Sequence, residues 1–314
     1  MCLRLASELV RCEGLTKVYG GSDVRALDSV SFSVSSCGVF VLIGRNGSGK
    51  TTLVRILATE LEPTSGEAYV DGVDVVAQPW RVRERIAIVP QEARPLPWMT
   101  PLQSVLSYLL WRGFSYGEAK RRASEALGLL GLVDYEGTLN RMLSGGLKRK
   151  VLVAMVLASE AEVIFLDEPT TGLDPISRRD FWRVLREVAR RRFTFLTTHY
   201  LEEAEQLADV VGILDRGQLV RIGSLDMLRR SMRYNYSLKL LSKPAPQLLG
   251  SVEGEVVTDE DGYVRVLTSE DEAFQLSRML AAAGLRFTIT PVSLEDMFVY
   301  LVGQGRDGSS HVQP

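Results

Sequence analysis

Cysteine is scarce: Cys2, Cys12 and Cys37 are the only three in 314 residues. An odd count without a C-x-x-C pair argues against a disulfide framework or a zinc site and fits a reducing compartment. Long apolar runs are lacking as well. The longest, Val151 to Leu166, is interrupted by Glu160 and Glu162, and none reaches the ~18 to 20 apolar residues of a bilayer span. The opening MCLRLASELVRCEGL has neither a sustained apolar stretch nor a small-residue cleavage site, so no secretory signal is expected. Nor does one sign of charge dominate: 37 Lys and Arg stand against 39 Asp and Glu, for a net charge of −2. Without a basic excess to neutralise phosphates, nucleic acid is not an expected partner. What is present is a chain of 46% hydrophobic and 24% charged residues, an ordinary globular composition with enough length for roughly two domains at ~150 residues each. The expected location is the cytoplasm.

Four short β-branched runs, VFVLI (39–43), RIAIVP (85–90), VIFLD (163–167) and FTFLTT (193–198), read as buried parallel strands of an α/β fold. About 70 residues between the second and third of them show helical patterning only. Thr100 before Pro101 makes a helix start, and Ser115 with Glu118 matches a capping box. VVGILDRGQLVRIG reads as a hairpin turning at Arg216 and Gly217, and Ser224 to Met232 as a short helix. From residue 233 the character changes. NYSLKL and EVVTDEDGYVRVL, the latter turning at Asp261 and Gly262, read as strands. A helix over Glu270–Ala283, a strand LRFTI and a helix opening at Ser293 with Asp296 follow, which together predict a small α+β domain. The polar ending GQGRDGSSHVQP is expected to be disordered.

The segment Gly44-Arg45-Asn46-Gly47-Ser48-Gly49-Lys50-Thr51 fits G-x-x-x-x-G-K-[ST], directly after the VFVLI strand and before the helical TTLVRILATE. Glycines at these positions let backbone N–H groups turn inward around phosphate oxygens, and the helix points its positive end at them. Lys50 supplies a point charge, and the Thr51 hydroxyl is a hard ligand suited to Mg²⁺. The strand VIFLD ends in adjacent carboxylates, Asp167 and Glu168. In an open α/β sheet ligands lie beyond the carboxyl ends of the strands, so Asp167 is the expected Mg²⁺ carboxylate and Glu168 the expected general base. Leu143-Ser144-Gly145-Gly146 precedes another helix, which Ser144 can cap. Lys148, Arg149 and Lys150 then crowd cations into that helix's first turn, where the macrodipole disfavours them. Either they are solvated surface residues or an anion is nearby. One loop already accounts for one triphosphate, so an occupant of the second helix end is a further ligand or a phosphate held by another chain.

GRNGSGKT, Gln91 after a strand, LSGG, VIFLDEP, GLD and a strand-end His, in that order, resemble the ATP-binding subunit of ABC transporters over roughly residues 8–230. The resemblance implies a P-loop NTPase core with an antiparallel β subdomain and a helical insertion at about 96–160, all within residues 1–232. A small C-terminal α+β domain (233–303) and a tail (304–314) complete the expected chain. It further implies two such subunits, identical or related, paired head to tail, with ATP and Mg²⁺ between the P-loop of one and the LSGG of the other. Nucleotide contacts are then expected from Tyr19 (stacked on adenine), Gly44, Asn46, Gly47, Ser48, Gly49, Lys50, Thr51 and Thr52, and across the interface from Ser144, Gly145 and Gly146. Gln91 senses the metal and the attacking water, Asp174 contacts the other subunit and His199 the γ-phosphate. Leu147 departs from the family's usual Gln, which bears on rate and subgroup. Pro291–Phe298, with its S-L-E-D-x-F pattern, is similar to the ending of the drug and antibiotic export branch. Because the chain has no membrane span, the resemblance implies separate transmembrane permease subunits and a place at the inner face of the membrane. A soluble ABC-type clamp is the alternative; it usually carries two ATP modules or a long coiled coil, and neither is seen here.

Overall fold

A computed structural model describes residues 8–21, 24–35, 38–190, 192–241, 254–258 and 264–304. The chain divides into two units, 1–219 and 220–314. In chain order the first unit contains β1 (Val10–Val18), β2 (Arg25–Val34), β3 (Gly38–Ile43), α1 (Lys50–Leu57), β4 (Ser65–Val70), β5 (Val73–Asp74), α2 (Pro79–Arg85), β6 (Ile86–Val89), α3 (Pro101–Trp111), α4 (Tyr116–Leu129), α5 (Gly145–Ala158), β7 (Val163–Asp167), α6 (Pro175–Ala189), β8 (Phe193–Thr198), α7 (Leu201–Leu207) and β9 (Val210–Asp215). The division falls inside β10 (Gln218–Gly223).

Two sheets organise this unit. One is antiparallel, in the order β2-β1-β4-β5. The other runs β10-β9-β3-β8-β7-β6, and its β9-β3-β8-β7-β6 part is parallel. All four apolar runs foreseen as strands lie here, and β3, β7 and β8 are buried almost throughout, as parallel strands covered on both faces must be. Across them Phe195 packs against Phe40 and Phe165 with tilted rings, centroids 4.8 and 5.6 Å apart. The β9–β10 turn falls on Arg216 (φ 46°) and Gly217 (φ 80°); two successive positive φ angles are what a tight two-residue hairpin demands.

The stretch between β6 and β7 is helical. Thr100 forms a full capping box with Gln103 at the head of α3. Ser115 caps α4, accepting from Glu118 N at 3.4 Å, while the Glu118 carboxylate turns away to Arg122 at 2.9 and 3.0 Å.

The second unit contains α8 (Leu225–Ser231), β11 (Tyr236–Leu240), β12 (Gly254–Thr258), β13 (Val264–Thr268), α9 (Glu270–Ala282), β14 (Phe287–Pro291) and α10 (Leu294–Gln304). Its sheet, β12-β13-β11-β14, is antiparallel, and α9 covers it through Ala273, Leu276 and Leu280 over Leu238, Leu240 and Val266. The short helix α8 packs on α10. Leu228 is its one buried residue, and the division between the units falls ahead of it. The foreseen turn at Asp261 and Gly262 and the tail from 305 lie outside the described residues, as do Cys2 and Cys37. Cys12 is buried in β1, and burial pushes its thiol pKa up, which makes it an inert core residue.

Candidate functional site

Parallel register brings the expected site residues to one edge. Ile43 pairs with Thr198 and Asp167 with Thr197, and Val89 with Leu166. The residues that follow β3, β8, β7 and β6 are therefore neighbours at the carboxyl ends of the strands: the loop from Gly44, His199, Glu168 and Gln91. Helix α1 begins at Lys50 behind Gly49, whose φ of 107° only glycine adopts readily. A Cβ at Gly49 would meet Ala26 O at 2.3 Å, and one at Gly44 would meet Leu214 O at 2.3 Å. Gly47, at φ 78°, faces open space. Asn46, Gly47, Ser48, Gly49, Lys50, Thr51, Thr52, Gln91 and Glu168 line a cleft of about 240 Å³ together with Ala26.

Lys50 Nζ donates to Gly44 O (2.8 Å) and Arg45 O (3.0 Å) and lies 4.0 Å from Glu168 Oε1. Burial holds its pKa below the ordinary lysine value, against the opposing pull of Glu168 and Asp167. Burial likewise raises the Asp167 carboxyl, partly offset by hydrogen bonds from Thr197 and Thr51. Glu168 is 7% exposed and sits at φ 48°, a left-handed backbone that costs a non-glycine residue about 1–2 kcal/mol. Its N–H is held by Thr197 O and Oγ1, both at 3.1 Å. Its Oε2 accepts from Gln91 Nε2 (3.2 Å) and Thr171 Oγ1 (3.3 Å). His199 Nδ1 lies 3.3 Å from Glu168 Oε1, off hydrogen-bond alignment, so this buried nitrogen has no hydrogen-bond partner. Thr51 Oγ1 is 3.4 Å from Gln91 Oε1.

This donor set fits a hydrated Mg²⁺ with a bound nucleotide. A hydroxyl, an amide oxygen and a carboxylate are hard ligands, and Mg²⁺ takes few protein ligands beside waters and phosphates. No cluster of three or more His, Cys, Asp or Glu suited to a metal occurs among the described residues, so an all-protein cage is absent there. The buried Ser48 Oγ has no hydrogen-bond partner and Gly47 borders open space, which fits a loop that takes a polar ligand.

Tyr19 reaches this site through its hydroxyl, 3.1 Å from Thr52 Oγ1, with its ring partly exposed. Ser144, Gly145 and Gly146 do not line the cleft. Ser144 caps α5, accepting from Leu147 N at 3.3 Å, and its exposed end faces away from the chain's interior. A Cβ on Gly146 would meet Leu173 Cδ2 at 3.0 Å, so α5 begins against the Gly172-Leu173-Asp174 segment. Asp174 caps α6, accepting from Ile176 N (3.0 Å) and Ser177 N (2.9 Å); hydrogen bonding, chiefly from Ser177, lowers its pKa. Arg149 proves to be 6% exposed and hydrogen-bonded to backbone carbonyls, unlike a solvated surface cation. Thr197 and Ala26 also belong to the site but carry no signature of their own.

The family model "ABC transporter" matches residues 27–171. The daunorubicin/doxorubicin resistance ATP-binding protein DrrA of Streptomyces peucetius is 34% identical over 313 residues, covering 96% of this chain and 94% of that protein. Human phospholipid-transporting ATPase ABCA3 is 31% identical over 237 residues, 75% of this chain but only 14% of that much longer protein. Among solved structures, the ATP-binding cassette MJ0796, a dimer bound to ADP and Pi, superposes with a TM-score of 0.64 at 25% identity, covering 69% of this chain and 98% of that one. With the P-loop, the strand-end carboxylates and His199 assembled at one sheet edge, and with DrrA alike along nearly its whole length, the chain belongs to the ABC transporter family as one of its ATP-binding, ATP-hydrolysing members.

Proposed function

We propose that this chain powers export through separate transmembrane permease subunits, working as a pair of ATP-binding chains at the inner face of the membrane. Several observations support this reading. No helix among the described residues is long and apolar enough to cross a membrane. The relatives alike along its full length are named for drug resistance, and a similar cassette is dimeric with ADP and Pi. The loop N–H groups and Lys50 hold the β and γ phosphates, and the Tyr19 ring stacks on the adenine. Thr51, Gln91 and Asp167 would hold Mg²⁺, which when bound would supply charge neutralisation at the transferring phosphoryl group. Glu168 takes the proton of the attacking water, Gln91 orients that water, and His199 donates toward the γ-phosphate. Ser144, Gly145 and Gly146 complete the site of the opposite subunit, and Asp174 meets that subunit while capping α6.

The observation that carries this reading is the convergence on Glu168: a buried carboxylate in a left-handed backbone, with Lys50, Gln91 and His199 within 4.0 Å. The Glu168→Gln variant should keep its affinity for ATP, hydrolyse it on the order of 10²-fold more slowly and run as a dimer on gel filtration with ATP. Near-normal turnover in that variant would remove Glu168 from the role of base.

A further inference from the structure

The three cations after Gly146 looked misplaced in a first helical turn, and Arg149 accounts for one of them. Alone of the three it is buried. Its Nη1 donates to the carbonyls of Pro90 (2.8 Å) and Gln91 (3.3 Å), its Nε to that of Pro169 (3.3 Å), and its Nη2 to those of Asp167 and Glu168, the latter at 3.2 Å. Five carbonyl dipoles thus supply the negative potential that the helix start does not. Burial lowers its pKa to about 10, with Asp167 and Glu168 pulling it back up, so it remains charged at neutral pH.

Ser144 stands five residues earlier on the same capping turn and helix, about 7.5 Å along its axis at ~1.5 Å per residue. Such a helix moves as a rigid part. One end of α5 carries the group that reaches another subunit's nucleotide, and about a turn and a half later a buried fork grips the backbones of Gln91 and Glu168. We propose that Arg149 is a positioning residue that couples the two ATP sites of the dimer. Through it, phosphate engagement at Ser144 of one site sets the alignment of Gln91 and Glu168 in the other. This rests on the paired arrangement proposed above. The planar guanidinium spans two backbone segments with donors in fixed directions, whereas the lysine ammonium is a point charge with three donors on a flexible stem. Withdrawing the fork leaves buried carbonyls unpaired, so the helix cannot shift without drawing those backbones with it.

The test compares the full chain with its Arg149→Met and Arg149→Lys variants, reading ATPase rate against ATP concentration and, separately, the affinity for a fluorescent ATP analogue. The wild-type Hill coefficient should lie well above 1, toward about 2 for two coupled sites. In Arg149→Met it should fall to about 1, with kcat down roughly 10-fold and nucleotide affinity within about 2-fold of wild type. Arg149→Lys should lie between, and should Arg149→Met not fold, its Hill coefficient decides in the same way. An unchanged Hill coefficient overturns the proposal even if kcat falls, because misalignment within a single site would do that. So does a wild-type coefficient of 1, or a collapse of nucleotide affinity. Failure of the dimer reading shows separately, as a Glu168→Gln chain that stays monomeric with ATP.

Discussion

Glu203 shows how much a single buried side chain can hold. It is fully buried and accepts from Trp182 Nε1 (3.0 Å) on α6 and Thr170 Oγ1 (3.1 Å), two residues beyond Glu168. Burial raises its pKa, with hydrogen bonds from Thr198, Trp182 and Thr170 opposing the rise. A carboxyl whose pKa is raised on folding holds its proton more tightly in the native state. Its contribution therefore declines as pH climbs from the unfolded value of about 4.3 toward the native one. Glu203→Gln removes the desolvated charge yet keeps a group that can bond both partners. That variant should melt at or above the native temperature at pH 7. Glu203→Ala, which strands the indole N–H, should lose about 1–3 kcal/mol. Equal losses in the two variants would mean that the charge itself is required. Glu203 carried no sequence signal, since one of three Glu in a helical LEEAEQL reads as surface; only the tertiary contacts reveal its burial.

Elements differ in how plainly they announce themselves. The strands β3, β7 and β8 were readable because burial on both faces demands continuous apolar runs, and α3 because Thr100 and Pro101 mark its start. The antiparallel sheet was not readable residue by residue. Strand β1 shifts register between Cys12 and Leu15, Leu15 and Lys17, and Lys17 and Val18, and each irregularity breaks the alternation by which a half-buried strand is recognised. Helix α5 hides its phase for the opposite reason: from Arg149 onward it is buried nearly all round, so no polar face shows which of its three cations turns inward. At the other end of the chain, the helix start foreseen at Ser293 and Asp296 is more than a cap. Asp296 Oδ2 accepts from Ser293 N and Oγ at 2.9 and 2.7 Å, while Oδ1 accepts from Ser237 Oγ (2.8 Å) and Arg265 Nη1 (2.9 Å). The cap thereby ties α10 to β11 and β13. Burial works against the charge, but these hydrogen bonds outweigh it and hold the Asp296 pKa below its ordinary value. Its stabilisation is therefore present above pH about 4 and lost as pH falls through the native pKa. Asp296→Ala leaves Arg265 without this partner and should cost about 3 kcal/mol, seen as a roughly 10²-fold loss of amide-exchange protection in β13 and α10. Unchanged protection there would show that the tie contributes nothing.

At the scale of the whole molecule the central question is which parts belong to one nucleotide. Ser144 is exposed at the head of α5, away from the cleft that Lys50 lines. If the signature of each subunit serves its partner, a Ser144→Arg chain and a Lys50→Ala chain, each inactive alone, should regain turnover when mixed. In the mixed dimer one composite site has both its Lys50 and its Ser144 intact. No recovery on mixing, with dimers demonstrably exchanged, would place both halves of the site in one chain.

The nucleotide loop, the paired carboxylates, the signature turn and the helix caps could be read from residues alone, because each is a local device. Each needs a particular residue type within a few positions of a strand end or a helix start, and short-range sterics and hydrogen bonding set its shape. Packing alone decided that Gln91 meets Glu168 across 77 positions of sequence, that Arg149 turns inward, and that Glu168 takes a left-handed backbone. Those outcomes depend on strand order, register and burial, which arise from every contact in the sheet together and leave no trace in any short stretch of chain.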